Sequence, residues 1–518
     1  MGSGIAYAFD HDHGRSPRTL NDLLGGKGAN LAEMTSVLRM AVPPGFTFTT
    51  EACRSYLADG WSPEFDSAID QLLGEVEVKV GRRYGDRYDP LLLSVRSGAP
   101  RSMPGMLDTV LNVGLNDETV KGLAMASGDE SFASDSYQRL RAGFADIVAP
   151  GDLPACPREQ LRGAIEAVFR SWNGDKARAY RARERIDDHV GTAVNVQAMV
   201  FGNLDEISGT GVVFTRDPST GAAVRYGEFL ARAQGEDVVG GTHRTMDFAA
   251  LRDLLPHVAD ELDASLDRLE AHYRDMCDVE FTVESGRLWI LQTRVGKRTA
   301  AAAIRMAVEM AQGAGEWCIS REEAVARVSA GNVADADVLN LGPNVRANVD
   351  VLGRGLPASP GVASGRVYFS AEDAVDAADR GEPVLLVREE TSPADIQGMA
   401  VAAGILTSLG GIVSHAAVVA RDWGIPAVVG AGSLVIEEQC CRIGTAIVRE
   451  GESLCIDGTT GAIRAGDTAV ITTTSPELDV LLTWADEISG GVATADPVER
   501  LRAAHSALER LRRHHDHV

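Results

Sequence analysis

One histidine stands in a segment whose residue types could carry a phosphoryl group. The segment GGIVSHAAVVARDWGIPAVVG spans residues 410–430, and His415 is the only histidine between positions 272 and 505. Glycines and a serine precede it and small residues follow, which predicts a histidine at a helix N-terminus with little bulk around it. Backbone N–H groups and the helix dipole stabilise an anion there and disfavour an imidazolium. The position suits an imidazole that accepts a phosphoryl group, and a histidine that only caps or packs the helix is the alternative.

A glycine-rich segment near the N-terminus carries one of the few lysines. GGKGANLAEM spans residues 25–34, and only five of the 50 basic residues of the chain are lysines. Lysine and arginine are not interchangeable where a compact point charge is needed, so each retained lysine is informative. We expect a flexible glycine turn from which Lys27 can reach a phosphate. Neither G-x-x-x-x-G-K-[ST] nor a G-x-G-x-x-G after a strand is found, so phosphate would be handled in another way.

Composition narrows the classes of function. The 518 residues are 45% hydrophobic and 24% charged, which predicts two to four domains. With 74 acidic against 50 basic residues the formal charge is −24, which argues against nucleic acid and anionic membrane as partners. The sequence shows neither a membrane-spanning apolar run nor a signal-peptide pattern, so we expect a cytoplasmic protein. Its seven scattered cysteines predict reduced thiols rather than disulfides or a zinc site.

Hydrophobic periodicity places these residues on elements. We predict a strand over LLLSVRSG, a helical pattern from 155 to 200 that gives way to valine-rich strands, and one amphipathic helix over 251–275. Strands DVEFTVE and RLWILQT follow, joined by a turn at residues 285–287. Residues 357–465 alternate short strands and helices, and a C-terminal amphipathic helix with Leu501, Leu508 and Leu511 on one side is expected to dock on its own protein.

The histidine segment has two companions in the chain. GLPASPGVASGRVYF (355–369) and EETSPADI (389–396) precede it. Together the three segments resemble the phosphohistidine domain of the phosphoenolpyruvate-utilising enzymes. The resemblance implies that His415 is phosphorylated and that its domain swivels between two remote active sites.

The N-terminal part resembles the ATP-grasp nucleotide-binding domain of the pyruvate, phosphate dikinase family, and the whole resemblance covers roughly residues 20–465. The segments that carry it are GGKGANLAEM, PPGFTFTTEAC, LLLSVRSGAPRSMPGMLDTVLNVGLND, GTAVNVQAMVFGN, SGTGVVFTRDPSTG, GEFLARAQGEDVVGG and DVEFTVESGRLWILQTRVGKRTAAAAIRMAVEM. The implied fold class is α/β, of several domains: an ATP-grasp domain at 1–340 with a helical subdomain at about 110–190, a linker at 341–356, a swivelling phosphohistidine domain at 357–466, and a linker with the C-terminal helix at 467–518.

The residues of this part suit ATP. Arg96 closes a strand and can clamp phosphate oxygens in a fork, and the loop from Ser97 to Gly105 offers backbone N–H groups to the distal phosphates. Glu280 alternates with Asp278 on one strand face, where oxygen ligands for Mg²⁺ would lie. The resemblance assigns Glu280 and Gln292 to the metal. The candidates for ATP or phosphate are Lys27, Arg96, Gly98, Ser102, Met103, Gly105, Asp278 and Arg294, the last assigned by the resemblance, with Gln234, Glu236 and Asp237 as weaker ones.

The resemblance implies a phosphotransferase that takes ATP as a substrate with Mg²⁺, and it also allows a monovalent cation. His415 would receive a phosphoryl group as ATP and phosphate give AMP and pyrophosphate, and would pass it to pyruvate or another acceptor. Complete dikinases continue into a (β/α)₈ barrel that binds pyruvate, whereas 33 residues follow position 485 here, so we expect a separate barrel protein. Linkers near 340–356 and 466–476 are expected to act as hinges.

Two other functions stay open. A small-molecule phosphotransferase similar to rifampin phosphotransferase is less well supported, because no inserted substrate domain intervenes here. A non-catalytic regulator that binds ATP is the third hypothesis, against which all the expected catalytic residue types are present.

Overall fold

The structure, a computed structural model, describes residues 4–101, 103, 107–148, 153–239, 246–313, 318–341, 351–468, 470–491 and 496–515. The chain divides into two compact units. The first unit comprises Met1–Thr210, Ala231–Ala233 and Val279–Arg294, and the second comprises Gly211–Leu230, Gln234–Asp278 and Val295–Val518. Over the described ranges, no helix combines the length and the apolar character needed to cross a bilayer.

The α-helices are α1 (Asn21–Ala32), α2 (Thr50–Asp59), α3 (Pro63–Val80), α4 (Thr119–Ser127), α5 (Glu130–Ile147), α6 (Pro157–Ser171), α7 (Asp175–Glu184), α8 (Gly235–Val239), α9 (Ala249–Leu254), α10 (Pro256–Tyr273), α11 (Ala300–Gln312), α12 (Arg321–Arg327), α13 (Ala330–Ala334), α14 (Ala371–Asp379), α15 (Ile396–Val401), α16 (His415–Trp423), α17 (Pro476–Ser489) and α18 (Pro497–His515). Short 3₁₀ turns occupy Pro17–Leu20 and Pro393–Asp395, and a π-helical turn occupies Glu33–Val37.

The strands are β1 (Ala6–Ala8), β2 (Gly45–Phe48), β3 (Arg83–Tyr84), β4 (Pro90–Leu91), β5 (Leu93–Gly98), β6 (Thr109–Val113), β7 (Ala193–Ala198), β8 (Gly209–Phe214), β9 (Tyr226–Ala231), β10 (Met246–Asp247), β11 (Cys277–Glu284), β12 (Arg287–Val295), β13 (Asp337–Leu341), β14 (Val351–Arg354), β15 (Leu356–Ser359), β16 (Val362–Tyr368), β17 (Val384–Arg388), β18 (Gly404–Thr407), β19 (Ala427–Val429), β20 (Leu434–Ile436), β21 (Cys440–Ile443), β22 (Ala446–Arg449), β23 (Ser453–Asp457), β24 (Ala462–Ala465) and β25 (Val470–Thr474).

The first unit is organised around a five-stranded sheet of order β1-β2-β7-β5-β6. Its strands pair antiparallel, and one face packs with helices of the same unit into a core that includes Phe46, Phe48 and Phe169. Aromatic and β-branched residues suit such a half-buried pleated surface. The predicted strand over LLLSVRSG is confirmed as the end of β4 and β5.

A second five-stranded sheet has the order β10-β9-β8-β11-β12. The predicted turn after DVEFTVE is confirmed, because β11 and β12 are separated by two residues only. Ser285 and Gly286 have φ of 49° and 77°, the left-handed values that a type I′ hairpin turn requires at both positions.

The second unit contains an eight-stranded sheet of order β14-β24-β23-β16-β17-β18-β19-β15. Its middle strands β16, β17, β18 and β19 run parallel, and buried aliphatic clusters cover both faces. Parallel strands joined through helices are what the alternating pattern predicted for residues 357–465. That arrangement is confirmed, and it places α16 directly after β18.

Five helices of the second unit, α11, α12, α13, α17 and α18, share one apolar cluster. The predicted docking of the C-terminal helix is confirmed: Leu501 is buried there and Leu508 packs against the cluster. Leu511, predicted on the same side, is 58% exposed, since it lies a turn beyond the last buried position. Nearby, β13 pairs antiparallel with β25, so two segments far apart in sequence form a two-stranded ribbon.

The single helix predicted over residues 251–275 is wrong, because two helices occupy this range. The break falls at Leu255, whose backbone has φ −137° and ψ 69°, and Pro256 starts α10. Proline has no N–H to donate and disfavours a helical residue before it, so it begins a new helix even though the leucine spacing continues.

Candidate functional site

The glycine segment around Lys27 is anchored on the end of β5. Within α1 the backbone at Gly25 departs from helical geometry, with φ 67° and ψ 164°. A methyl group at Gly25 would lie 1.6 Å from the carbonyl oxygen of Gly98, and the N–H of Gly26 donates to Ala99 O at 3.0 Å. Only glycine permits this approach. Lys27 therefore lies on the helix that resumes after the kink, and not on the glycine turn that the sequence predicted.

Lys27 faces the cations Arg96 and Arg294 and the carboxylate Glu280, all in the first unit. These four residues are called the Lys27 cluster. Burial, together with the charges of Arg96 and Arg294, lowers the pKa of Lys27 to about 8, while Glu280 opposes the change. Burial and neighbouring positive charge both disfavour the ammonium form. An anionic ligand would relieve this cost, so the cluster has the electrostatics of a phosphate site.

The guanidinium of Arg96 is held in one orientation. Its Nη2 donates to Gln197 Oε1 at 3.0 Å and to the carbonyl oxygen of Leu291 at 3.2 Å. Its Nη1 lies 3.9 Å from Glu280 Oε2, and 13% of the side chain is exposed. Burial lowers the pKa of Arg96 while Glu280 opposes that shift. A desolvated, oriented guanidinium is suited to bidentate contact with phosphate oxygens.

Glu280 of this cluster and Gln292 of the same unit carry oxygens that fit a magnesium ion. Gln292 is buried, and its Oε1 accepts no hydrogen bond in the described chain, while the Glu280 carboxylate is 34% exposed. A buried acceptor without a donor calls for an explanation, and a cation supplies one. No cluster of three His, Cys, Asp or Glu suited to a metal occurs among the described residues. Magnesium does not need one, because it keeps waters and substrate phosphates as ligands.

The other nucleotide candidates are spread more widely. Met103 is buried against Trp172, whereas Ser102 and Gly105 lie outside the described residues. Gln234, Glu236 and Asp278 belong to the second unit, so they are described apart from the Lys27 cluster. Gln234 and Asp278 are both buried, and Glu236 lies on α8, where its side chain is outside the description. The N–H of Gln234 donates to Asp237 Oδ2 at 2.9 Å.

In the second unit, His415 is the first residue of α16. Ser414 is the N-cap, and its Oγ accepts from the N–H of Ala417 at 3.5 Å. The imidazole Nδ1 lies 3.0 Å from Thr391 Oγ1. When Nδ1 carries the proton and donates it to Thr391, Nε2 bears the lone pair. Burial lowers the pKa of His415, with Asp395 opposing, so the ring is neutral at physiological pH.

The loop that follows β17 positions Thr391, the hydrogen-bond partner of His415. Ser392 caps the 3₁₀ turn in a capping box with Asp395, whose Oδ2 accepts from the Ser392 N–H at 2.8 Å. Arg388 Nε lies 3.2 Å from Asp395 Oδ1. Sequence reasoning noticed the segment EETSPADI but missed Thr391 and Asp395 individually. The S-P-x-D capping pattern was the available signal, since it predicts a rigid turn beside the histidine.

Arg421 braces the loop that leads into the histidine helix. It is 2% exposed, and its Nη1 and Nη2 donate to the carbonyl oxygens of Ala358 and Ile412, each at 2.8 Å. A methyl group at Gly411 would lie 2.1 Å from Glu228 Oε2, so this loop runs close to β9. Sequence reasoning missed Arg421, because nothing local distinguishes a bracing arginine from a solvated one.

Two family models match the chain. Residues 21–79, 61–256 and 243–314 match the model "Pyruvate phosphate dikinase, AMP/ATP-binding domain", and residues 381–461 match "PEP-utilising enzyme, mobile domain". The residues matched by the first model include the Lys27 cluster, and those matched by the second include His415.

Curated relatives agree. Pyruvate, phosphate dikinase of Rhizobium meliloti is 43% identical over 93% of this chain and 60% of its own length. The enzyme of Clostridium symbiosum is 42% identical over 90% of this chain and 59% of its own. Pyruvate, phosphate dikinase 2 of Zea mays is 42% identical over 97% of this chain and 62% of its own. The chain thus spans about 60% of the length of these relatives. Because the nucleotide-binding model alone matches more than half of the 518 residues, the chain belongs to the pyruvate phosphate dikinase AMP/ATP-binding domain family.

Proposed function

We propose that this chain is an ATP-dependent phosphotransferase of the dikinase type, in which His415 receives a phosphoryl group from ATP. The observation that carries the proposal is the position of His415, at the start of α16 with Nδ1 held by Thr391. Such an imidazole is neutral, has Nε2 available for attack, and stands where helix N–H groups favour an incoming anion. The curated relatives are named for the same class of reaction.

The first step is nucleophilic. Nε2 of neutral His415 attacks the β-phosphorus of ATP, an N–P bond forms, and the bond from that phosphorus to the α,β-bridging oxygen breaks. AMP leaves with the electron pair, and His415 carries a pyrophosphoryl group. An oxygen of inorganic phosphate then attacks the outer phosphorus, which releases pyrophosphate and leaves phospho-His415.

The residues of the Lys27 cluster bind and orient the nucleotide in this proposal. Lys27, Arg96 and Arg294 offset the charge on the transferring oxygens. Glu280 and Gln292 would hold Mg²⁺, which when bound neutralises phosphate charge. Supporting contacts are assigned to the loop residues Gly98, Ser102, Met103 and Gly105 and to Gln234, Glu236 and Asp278.

Onward transfer defines the partners. We propose pyruvate as the final acceptor, bound by a barrel that is carried by this polypeptide or by a separate one. The proposed domain boundaries lie at 340, 356 and 466, with the segments near 340–356 and 466–476 as hinges. Residues 342–350 lie outside the described residues, and the pairing of β13 with β25, which joins the start of one segment to the other, supports the proposal. A cytoplasmic setting is part of the proposal and is supported by the absence of a disulfide among the seven cysteines.

Product analysis tests the proposal. The purified chain is incubated with Mg²⁺ and ATP, with and without phosphate, and the nucleotides are separated. One AMP for each His415 that becomes modified, with pyrophosphate formed only when phosphate is present, is the expected result. ADP as the product would show an ordinary kinase instead. Pyruvate is then added with and without cell extract: phosphoenolpyruvate in either sample supports pyruvate as the acceptor, and its absence from both samples counts against it.

A further inference from the structure

A row of polar side chains crosses the first sheet beneath the Lys27 segment. In the sheet register Thr47 of β2 lies opposite Asn195 of β7, and Asn195 lies opposite Arg96 of β5. Directly opposed residues of antiparallel strands project from the same face. The three side chains therefore line one level of the sheet, with the phosphate-site arginine at one end of the row.

Asn195 fills the space between this row and two glycines. It is fully buried, and its Oδ1 accepts from Thr47 Oγ1 at 2.9 Å. A methyl group at Gly28 would lie 2.9 Å from Asn195 Oδ1, and one at Gly98 would lie 2.6 Å from Asn195 Nδ2. The residue after Lys27 and the last residue of β5 are thus both seated on one amide.

Stability alone does not account for an amide at this position. Asn195 Nδ2 has no hydrogen-bond acceptor within the part of the chain that the structure describes. A buried donor without a partner destabilises a fold, and an apolar side chain of similar size would avoid the cost. The hydrogen bond from Thr47 instead fixes the orientation of an amide that packs against Gly28 and Gly98.

We infer that Asn195 is a positioning residue of the phosphate site: its amide is the spacer that sets the height of the Lys27 segment above the sheet and beside Arg96. The inference rests on the proposed function in one respect, namely that Lys27 contacts the phosphates of ATP. Asn195 acts through the backbone at Gly28 and Gly98 and does not itself touch the nucleotide.

A compensating pair of substitutions tests the inference. At Gly98 the added methyl group would clash only with Asn195, since the next atoms, Lys27 Cβ and Ala193 O, are 3.5 and 3.8 Å away. Asn195→Ala and Gly98→Ala should each lower the single-turnover rate of His415 phosphorylation by about 10-fold, because small positional errors are costly in such sites. The double variant, in which the methyl refills the vacated space, should return to within about 3-fold of wild type.

Matched variants separate positioning from folding. Ser94→Ala removes a buried hydroxyl of β5 that donates to Gln197 O at 3.4 Å. This variant should leave the rate unchanged. If Asn195→Ala does not fold, Thr47→Val keeps the side-chain shape but removes the donor to Asn195, and should lower the rate by about 3-fold. Wild-type rates in the single variants, or a double variant as slow as the product of the singles, would overturn the inference.

The same variants are measured for ATP affinity, which separates failure of the proposed function from failure of the role inferred for Asn195. If the wild-type chain binds ATP but does not phosphorylate His415, the proposed function fails. The pattern of loss and compensation in the dissociation constant then decides the role of Asn195 on its own. A wild-type chain that binds no ATP would overturn both.

Discussion

Lys27, Arg96 and Glu280 come from three distant parts of the chain, whereas His415 and its partner Thr391 are only 24 positions apart. Lys27 lies on α1 beside glycines that let its backbone approach the end of β5, while Arg96 and Glu280 lie on strands of two different sheets. The second group, His415 and Thr391, is assembled locally, by a strand, a capped turn and a helix start. The chain thus builds its charge-binding site from long-range contacts and its proposed carrier residue from a short motif.

The two sites also differ in what burial does to them. Around Lys27 several positive charges are buried together, and their desolvation and mutual repulsion cost free energy that an anionic ligand would relieve. The pKa of the lysine accordingly falls to about 8. Around His415 burial favours the uncharged ring, so its pKa falls below the ordinary value of 6.5. In the proposed function the first site holds the phosphate charge, and His415 attacks it.

The largest expected effect comes from removing the central cation of the first site. Lys27→Ala should lower the rate of His415 phosphorylation by roughly 100- to 1,000-fold, because a desolvated charge aimed at the transferring group is lost. Single-turnover labelling measures it. Lys79→Ala is the matched control, since that lysine is exposed and paired with Asp10. A Lys27→Ala rate close to wild type would remove the first site from the proposal.

Thr391→Val tests the local site in the same assay. The substitution keeps the side-chain shape but deprives His415 Nδ1 of its hydrogen-bond partner, and a rate loss of roughly 5- to 10-fold is expected for one such bond. Thr391→Ser retains the hydroxyl and should stay near wild type. Equal losses in the serine and valine variants would contradict the role of the hydroxyl.

The pKa of Lys27 predicts a basic limb for nucleotide binding. The ammonium is present below about pH 8 and is lost above it, so ATP affinity should be constant below this pH and fall as the pH rises through it. Titrating the dissociation constant between about pH 6.5 and 9.5 measures the limb, which should steepen toward about 10-fold per pH unit. Lys27→Arg stays charged throughout and should abolish the limb, so a limb that persists in this variant would belong to another group.

The pKa of His415 predicts an acid limb for the transfer step. Its neutral form is the nucleophile, so the rate should fall as the pH drops through a pKa that lies below 6.5. Asp395 stabilises the imidazolium, and Asp395→Asn should therefore move the limb to lower pH, by less than about one unit. Asp373→Asn, on the exposed start of α14, should leave it in place. A limb that moves to higher pH would contradict the electrostatic account.

The smallest effect is expected at the cap of the histidine helix. The hydrogen bond from Ala417 N–H to Ser414 Oγ is long, at 3.5 Å, so Ser414→Ala should reduce the free energy of unfolding by about 1 kcal/mol or less. The phosphorylation rate should change by less than about 3-fold. Thermal unfolding of the two proteins measures the first quantity. A loss as large as that of Thr391→Val would show that the cap, rather than the threonine, orients the ring.

These differences explain what could be predicted from the sequence. The strand, loop and helix around His415 follow from a short pattern of glycine, serine and alanine, and each element is confirmed. The hydrogen bond between Thr391 and His415 was missed because it joins the loop after β17 to the start of α16, and no local sequence pattern predicts a contact between them. The break before Pro256 was visible but overlooked, since leucine spacing continues through it.

The first site shows the opposite balance. Residue type and position pointed to Lys27 and Arg96, but Glu280, Gln292 and Arg294 were assigned through family resemblance, because these five residues share no local pattern. Their electrostatic interactions exist only in the folded chain. The same is true of the close backbone approach between Gly25 and Gly98. The roles assigned to Gly98, Ser102, Met103, Gly105, Gln234, Glu236 and Asp278 stay predictions.

The most direct test labels the carrier itself. The chain is incubated with Mg²⁺ and ATP labelled on the β-phosphate, and acid-labile, base-stable label is measured on wild type, His415→Ala and Lys27→Ala, with exposed His189→Ala as control. The account predicts label on the wild-type and His189→Ala proteins, none on His415→Ala, and strongly slowed label on Lys27→Ala. Label that persists without His415, or wild-type protein that binds ATP and stays unlabelled, would contradict it.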